Sequence, residues 1–362
     1  MEINYNLNFD DHDFFSYVIL NHRENDIDNF QKITVEELTA LRLYFKEYIQ
    51  EFDFDQNLIE FLSYISKFEH KELRYLTEQA LSYMVSTYED LADEGIPFYQ
   101  NELGELYEIG IGVSVDRKKA VELYQLAALQ GNAKAQFNLA NCYYFGIGVE
   151  IDTETAFEWL QEAAQQGDVR AVFRLGHCYI HGNGVLPDER LGAELYKKAV
   201  DKGSTIAIVN LAICYLQGIG AIKDEKQAVE MLELASSKGN SLALNNLGYC
   251  YELGIGVQKD EEKAFGCYHT AALMEDPAAQ SQLGYCYLNG VGIEKNEEQA
   301  ARWFYEAASQ GNPIAQGNLA RCFEHGIGLQ KNERYAFEWY LESAKQGYVA
   351  AQNSLAFAIP KA

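Results

Sequence analysis

The sequence predicts an all-α fold, a right-handed α-solenoid of seven 36-residue helix-turn-helix repeats behind a helical N-terminal domain. One observation is a glycine pair that recurs every 36 residues without insertion, from Gly110 and Gly112 to Gly326 and Gly328. A second is a leucine column of the same period. A third is that no stretch alternates apolar and polar residues as a strand would. A fixed period of this length is typical of solenoids, whose units bury their apolar faces only by stacking.

Each glycine pair is predicted to form the turn that ends the first helix of a repeat. Glycine enters the left-handed conformation at a helix C-terminus at little cost. A dinucleotide-binding loop would need a preceding strand, whereas a helix is predicted before every pair. The fourteen predicted turn glycines are Gly110, Gly112, Gly146, Gly148, Gly182, Gly184, Gly218, Gly220, Gly254, Gly256, Gly290, Gly292, Gly326 and Gly328.

The second repeat illustrates how one unit is built. Its first helix is predicted over 133–145, with Ala135, Leu139 and Cys142 on one apolar face. Asp152 is predicted to cap the second helix, and every other repeat has Asp or Asn at that position. Residues 98–348 are therefore assigned to seven repeats, and residues 349–362 to a C-terminal capping helix.

Residues 1–97 lack the glycine pair and are predicted to form an acidic helical domain. Apolar spacing indicates four helices, near 11–22, 34–52, 55–67 and 70–93. The last of them carries Tyr88 and Ala92 and is followed by Gly95, and all three match the residues 36 positions later. We therefore interpret it as the second helix of a degenerate repeat.

The charge balance restricts the partners that the chain can bind. The formal net charge is -25 with a pI near 4.6, and residues 1–97 contribute -14 of it. This acidity argues against binding to nucleic acid or an anionic membrane, and it favours a basic protein partner or simply a solvated surface. No stretch is apolar for the roughly 18 residues of a membrane span, and the N-terminus has no basic signal region, so a cytoplasmic location is expected.

Six of the seven cysteines fall at one repeat position: Cys142, Cys178, Cys214, Cys250, Cys286 and Cys322. Equivalent helices of neighbouring repeats pack roughly 8–10 Å apart, whereas the Cα atoms of a disulfide lie within about 7 Å. The six are therefore predicted to be small buried residues, which suits a reducing compartment.

The repeat resembles the Sel-1-like repeat, a relative of the tetratricopeptide repeat. The resemblance covers about residues 98–359 and rests on a Leu-Gly/Ala-x-x-Tyr-x-x-Gly-x-Gly-Val-x-x-Asp-x-x-x-Ala pattern ending in Ala-Ala-x-x-Gly. It implies a non-catalytic adaptor or scaffold, or an immunity protein that neutralises a toxin, and the acidic charge of this chain would make that toxin a basic one. Two departures stand out. Gly192 replaces an alanine in a second helix, and Glu275 stands where a turn glycine is usual.

The predicted binding surface is the face of the first helices opposite the core, which lines the concave side of stacked helix pairs. Asn or Gln at the first position of most repeats forms an amide ladder suited to a peptide backbone, although such residues could merely solvate the groove. The predicted partner-binding residues are Asn138, Asn141, Arg174, His177, His181, Asn210, Asn246, Tyr249, Gln282, Tyr285, Asn318, Arg321 and His325.

Catalysis and metal binding receive less support from the sequence. His177 and His181 are four residues apart on a helix, a spacing that can place two ligands on a metal, but no third ligand is evident. No nucleophile and base occur in a recognisable arrangement, so neither enzyme activity nor a cofactor is expected. Two alternatives stay open: a hydrolase with its site in the groove, and an N-terminal homodimerisation module with the array as spacer.

Overall fold

A computed structural model describes residues 71–358, and within that range it contains sixteen α-helices and no strand. The all-α prediction is confirmed there. The helices predicted near 11–22, 34–52 and 55–67 lie outside the described residues. The chain divides into two compact units between Asp168 and Val169, which we call unit 1 and unit 2.

Unit 1 contains five described helices: α1 Lys71–Asp93, α2 Pro97–Ile109, α3 Arg117–Leu129, α4 Ala133–Phe145 and α5 Thr153–Gln165. Unit 2 contains eleven: α6 Val169–His181, α7 Glu189–Asp201, α8 Thr205–Gln217, α9 Glu225–Ser237, α10 Ser241–Leu253, α11 Glu261–Leu273, α12 Pro277–Asn289, α13 Glu297–Ser309, α14 Pro313–His325, α15 Glu333–Lys345 and α16 Val349–Ala358. The even-numbered helices from α2 to α14 are the first helices of repeats, and the odd-numbered helices from α3 to α15 are the second.

The predicted turn chemistry forms as expected. Gly146 ends α4 in the left-handed conformation with φ 72°, and its N–H donates to the carbonyl of Cys142. The carboxylate of Asp152 then accepts the N–H of Thr155 at 3.0 Å, which caps α5. Asp or Asn caps the second helix in the same way in each of the other six repeats.

The two glycines of a pair have different surroundings. A Cβ atom placed on Gly218 would meet nothing closer than the Cβ of Lys223 at 3.6 Å. A Cβ atom on Gly220 would lie 1.9 Å from the carbonyl oxygen of Glu189, in the second helix of the preceding repeat. The first glycine therefore shapes the turn, and the second allows one repeat to approach the next.

Helix α1 takes the place of a second helix in front of the first repeat. Tyr88 and Ala92 are buried, and Gly95 has φ 86°, close to the 85° of Gly131 one repeat later. A Cβ atom on Gly112 would lie 3.3 Å from the carbonyl of Leu81, which is 36 residues before Arg117, the corresponding neighbour of Gly148. These contacts support the interpretation of α1 as part of a degenerate repeat.

The two departures from the repeat pattern keep its backbone geometry. Glu275 has φ 62°, so it adopts the left-handed conformation that glycine takes in the other repeats. Gly192 lies where α6 and α7 approach closely, since a Cβ atom there would be 2.8 Å from the carbonyl of Gly176. The absence of a side chain at Gly192 is thus a packing requirement.

Within a repeat, the size of one buried residue in the second helix is matched to the size of the residue that it contacts in the first helix. Tyr268 of α11 is fully buried, and its hydroxyl donates to Glu252 at 2.8 Å. Its ring leaves no room for a side chain at Gly248, whose Cβ atom would lie 2.7 Å from the ring. One repeat earlier, Leu232 replaces the tyrosine and Ala212 replaces the glycine, and both are buried. In four repeats an aromatic ring in the second helix is thus accommodated by glycine in the first, at Gly104, Gly176, Gly248 and Gly284.

Buried glutamines tie some neighbouring repeats together. In unit 2, Gln316 Nε2 donates to the carbonyl of Ala308 at 3.2 Å, and Gln346 Nε2 donates to Gln316 Oε1 at 2.9 Å. Gln136 makes the equivalent pair of bonds in unit 1. Since a buried amide is costly without partners, these bonds fix the spacing of consecutive helix pairs.

The six cysteines of the repeat column are buried, as predicted, and all seven cysteines of the chain are free thiols. Burial raises the pKa of each of the six, to about 12 for Cys142 and Cys286 and to about 11 for the others. Cys267 is half-buried on α11.

We expect reductant to leave the melting temperature unchanged, and iodoacetamide at about pH 8 to modify Cys267 before any thiol of the column. Burial raises the pKa of Cys267 as well, but its side chain is only half-buried and can meet the reagent. The column thiols are buried, and their reactive thiolate is scarce because burial holds the pKa three or more units above the pH. Peptide mass spectrometry of the native chain, with the same chain in denaturant as the control, measures the order of labelling. A disulfide between two column cysteines, or labelling of all seven at one rate, would contradict this packing.

Candidate functional site

The candidate site lies on the first helices of unit 2. We call the predicted positions on α8, α10, α12 and α14 the first-helix face. Asn210, Asn246, Gln282 and Asn318 lie half-buried on it, one per helix. Tyr249, Tyr285, Arg321 and His325 lie exposed toward the C-terminal ends of the same helices. Helices α10 and α12 of this face are in contact, and Ser241 Oγ of α10 donates at 3.3 Å to the carboxylate of Asp276, which caps α12.

Two of the amides are held by their own helices. Asn210 Nδ2 donates to the carbonyl of Ile206 at 3.0 Å, and Asn246 Nδ2 donates to that of Leu242 at 2.8 Å. An amide side chain also has a second N–H and a carbonyl oxygen, which these bonds do not use. The side chains are therefore oriented and retain groups that suit a peptide backbone.

A row of aliphatic side chains accompanies the amides, and the sequence analysis missed it. Ile206, Leu242 and Ile314 lie four residues before the amides and are 56%, 42% and 49% exposed. Tyr249 and Tyr285 extend the apolar surface, at 46% and 43% exposure. Residues four apart share one side of a helix, so reading the repeat column four positions before the amides could have found this row.

In unit 1 the predicted residues form a different arrangement. Asn138 Nδ2 donates to Asn101 Oδ1 at 3.0 Å and to Glu105 Oε1 at 2.8 Å. Lys134 pairs with Glu102 at 2.8 Å and with Glu105 at 3.0 Å. Burial lowers the pKa of Lys134, but its hydrogen bonds with the two glutamates outweigh burial and raise it above the ordinary value. Asn138 is thus part of an internal polar network, beside the half-buried Asn141.

On α6 the structure brings His177 and His181 together, with ring centroids 4.3 Å apart. Burial, aided by the charges of His181 and Arg174, lowers the pKa of His177 to about 4, so this histidine is neutral at pH 7. Arg174 and His177 are half-buried and His181 is exposed. Within residues 71–358 no group of three or more His, Cys, Asp and Glu side chains is arranged to hold a metal ion.

Charge is distributed unevenly between the two sets of helices in unit 2. Helices α8 and α12 contain no charged residue, and Glu252 of α10 accepts the hydroxyl of Tyr268. By contrast, α7, α9, α11, α13 and α15 together carry 14 acidic and 8 basic residues. Four of the glutamates that begin these helices pair with a lysine two residues earlier, so the acidic excess comes from the helices as a whole. The acidic surface of unit 2 is therefore associated with its second helices rather than with its first-helix face.

The repeated segments show the family to which the chain belongs. The model of the Sel1 repeat matches seven consecutive segments: 97–132, 133–168, 169–204, 205–240, 241–276, 277–312 and 313–348. The chain belongs to the Sel1 repeat family. Proteins of this family are generally non-catalytic scaffolds for protein interactions, and the resemblance inferred from the sequence is confirmed.

The chain is similar to several solved structures, of which the first described here shares its helical fold. A Sel1 repeat protein from Oxalobacter formigenes is 24% identical and aligns over 95% of this chain and 93% of that one, with a TM-score of 0.58. The protective antigen c5321 of uropathogenic Escherichia coli is 24% identical over 89% of both chains, with a TM-score of 0.46. The immunity protein Pa5087 of Pseudomonas aeruginosa is 22% identical over 60% of this chain and 82% of that one, with a TM-score of 0.45. No curated protein matches the chain.

None of the helices α1–α16 combines the length and apolarity that a membrane crossing requires.

Proposed function

We propose that this Sel1 repeat protein is a non-catalytic adaptor that holds an extended segment of a partner protein on the first-helix face. The observation that carries the proposal is the row of exposed Ile206, Leu242 and Ile314 beside a row of oriented amides. Aliphatic and aromatic side chains supply apolar area to bury, and amides supply hydrogen bonds to a backbone. Interfaces commonly combine these two kinds of contact.

The spacing of the helices suits an extended chain. First helices of neighbouring repeats pack roughly 8–10 Å apart, and an extended chain rises about 3.3 Å per residue. A segment crossing the face therefore advances about three residues from one repeat to the next. Each helix of the face offers it one amide and at least one exposed apolar side chain, which on α12 is Tyr285 because Ala278 stands in the aliphatic row.

The chemistry of the face favours binding over catalysis. A general base at neutral pH works best with a pKa near 7. His177 is one of the predicted site residues, and burial lowers its pKa to about 4. A hydrolase with its site in the groove would need a base whose pKa lies near 7 rather than near 4.

An immunity-type role, neutralising a basic toxin, is the second candidate. The observation that favours it is the net charge of -25, together with the excess of acidic over basic residues on the second helices of unit 2. A basic partner recognised in this way would bind the second helices, and its association rate would fall as salt screens the attraction. The free thiols support the further proposal that either function operates in a reducing compartment such as the cytoplasm.

A comparison of two matched variants tests the adaptor proposal. The first carries Leu242→Ser with Tyr249→Ser on the first-helix face. The control carries Leu234→Ser with Tyr305→Ser on second helices, at residues 50% and 52% exposed. Proteins that bind the immobilised full chain in lysate of its native host are quantified by mass spectrometry. We expect at least one to be retained by the wild type and the control but reduced about tenfold or more by the face variant.

Thermal unfolding of both variants is measured alongside, because the comparison requires that each remains folded. Identical retention by the wild type and both variants would contradict binding on this face. Loss with the control variant alone, or with substitutions of the second-helix glutamates, would favour the immunity-type role.

A further inference from the structure

The aliphatic row of the first-helix face is interrupted at one position, and the inference drawn from it rests on the proposed function. Ile206, Leu242 and Ile314 expose branched side chains on α8, α10 and α14. On α12 the same repeat position is Ala278, which is half-buried and has no atom beyond its Cβ. The surface at Ala278 is therefore lower than the surface at the same position of the neighbouring repeats.

The helices on both sides of α12 place branched side chains beside this gap. Helix α10 contacts α12, and Leu288 of α12 lies in one buried cluster with Leu319 of α14. Leu242 and Ile314 therefore stand one helix spacing, roughly 8–10 Å, to either side of Ala278. We call this gap the Ala278 notch. Its floor is Ala278, and its walls are Leu242 and Ile314.

A carboxylate lies at the edge of the Ala278 notch. Asp276, two residues before Ala278, caps α12 by accepting the N–H of Ala279 at 2.8 Å, and it also accepts Ser241 Oγ at 3.3 Å. A carboxylate has about four acceptor positions, so these two bonds leave capacity for a further donor. A negative side chain of a partner would be repelled here, whereas an aromatic side chain with a polar hydrogen can donate to Asp276.

We propose that the Ala278 notch selects a partner segment with one aromatic anchor, Trp or Tyr, near its centre. The ring fills the gap between Leu242 and Ile314, and its indole N–H or hydroxyl donates to Asp276. Buried Trp and Tyr usually find a hydrogen-bond partner, and both are enriched at interface hot spots. An extended chain needs about five to six residues to pass from α10 to α14, so about two or three residues stand on each side of the anchor.

The notch can be closed by a substitution that the repeat already accepts. The preceding repeat has a leucine at this position, Leu242, so Ala278→Leu should complete the aliphatic row without disturbing the fold. Ala350→Leu on α16 is the matched control. It makes the same change at an exposed alanine of the same repeat position, on the helix beyond α14.

The test uses bead-bound synthetic peptides of about twelve residues and the fluorescently labelled full chain. Five peptide sets carry Trp, Tyr, Phe, Ala or Lys at the central position, and the other positions are randomised among Val, Ile, Leu, Thr, Gln and Ser. We expect the Trp and Tyr sets to retain about tenfold more wild-type chain than the Ala set, as for a hot-spot residue. The Phe set should retain less than these two, because its ring has no hydrogen to donate to Asp276.

Ala278→Leu should remove most of the preference for Trp and Tyr, since the ring no longer fits, and Ala350→Leu should leave it unchanged. Thermal unfolding of each variant is measured alongside. If Ala278→Leu does not fold, Ala278→Met takes its place, because a flexible methionine also fills the notch. Strongest retention by the Lys set, equal retention by the Trp and Ala sets, or an unchanged preference in the filled variant would overturn this inference. Equal retention by the Phe set would overturn the role of Asp276.

The Leu242→Ser and Tyr249→Ser variant separates this inference from the proposed function. If no peptide set retains the wild type above that variant, binding on the first-helix face is itself wrong. If the wild type is retained above it but without a preference for an aromatic centre, only the inference fails.

Discussion

Gly220→Ala is expected to destabilise unit 2 by about 3–5 kcal/mol, which is a large effect for the addition of one methyl group. Gly220 has φ 65°, a conformation that costs a residue with a Cβ atom about 1–2 kcal/mol. In addition, the new Cβ atom would lie 1.9 Å from the carbonyl oxygen of Glu189, so the backbone of one repeat must move away from the next. The midpoint of urea unfolding and the hydrogen exchange of α7 and α8 measure the loss.

Gly218→Ala is the matched control, from the same turn and with φ 74°. Its Cβ atom would meet nothing closer than 3.6 Å, so only the conformational cost of about 1–2 kcal/mol remains. The sequence predicts only a conformational role for both glycines, and the structure adds a close backbone approach at the second. Equal losses for the two substitutions would show that the close approach at Gly220 relaxes without cost.

The fold could be predicted in detail because its determinants are local. A 36-residue period, a capping Asp such as Asp152 and a left-handed glycine such as Gly146 each act within a few residues of the chain. Their positions therefore fix the helix bounds directly, and the predicted helix over 133–145 is α4.

The candidate site was predicted less completely because its properties arise between repeats. The amide at position 138 looks the same in sequence as those at 210 and 246, yet Asn138 bonds to Asn101 and Glu105 of the neighbouring first helix. The aliphatic row was overlooked because its column also contains Lys134, Arg170 and Ala278, so it is apolar only in part of the array. The predicted partner-binding roles remain predictions.

Gly248→Ala is expected to be destabilising by about 1–3 kcal/mol, the usual cost of overpacking a core. The new Cβ atom would lie 2.7 Å from the ring of Tyr268, which is fully buried and packs with Ala279 and Leu283 of the following helix. The ring therefore has no space into which it can move. The last repeat does have an alanine, Ala320, opposite a tyrosine, Tyr340. There the tyrosine is 8% exposed, whereas Tyr268 is fully buried.

Gly248→Ala should stabilise the protein, instead of destabilising it, once the residues around it are replaced by those of the preceding repeat. Tyr268→Leu with Glu252→Leu reproduces the pair Leu232 and Leu216, where the first helix has Ala212. In that background an alanine at 248 meets no ring, and it should stabilise α10 by up to about 1 kcal/mol because alanine favours a helix more than glycine does. Unfolding curves of the four combinations measure the coupling. If Gly248→Ala changes stability equally in both backgrounds, the tyrosine ring is not what requires glycine at this position.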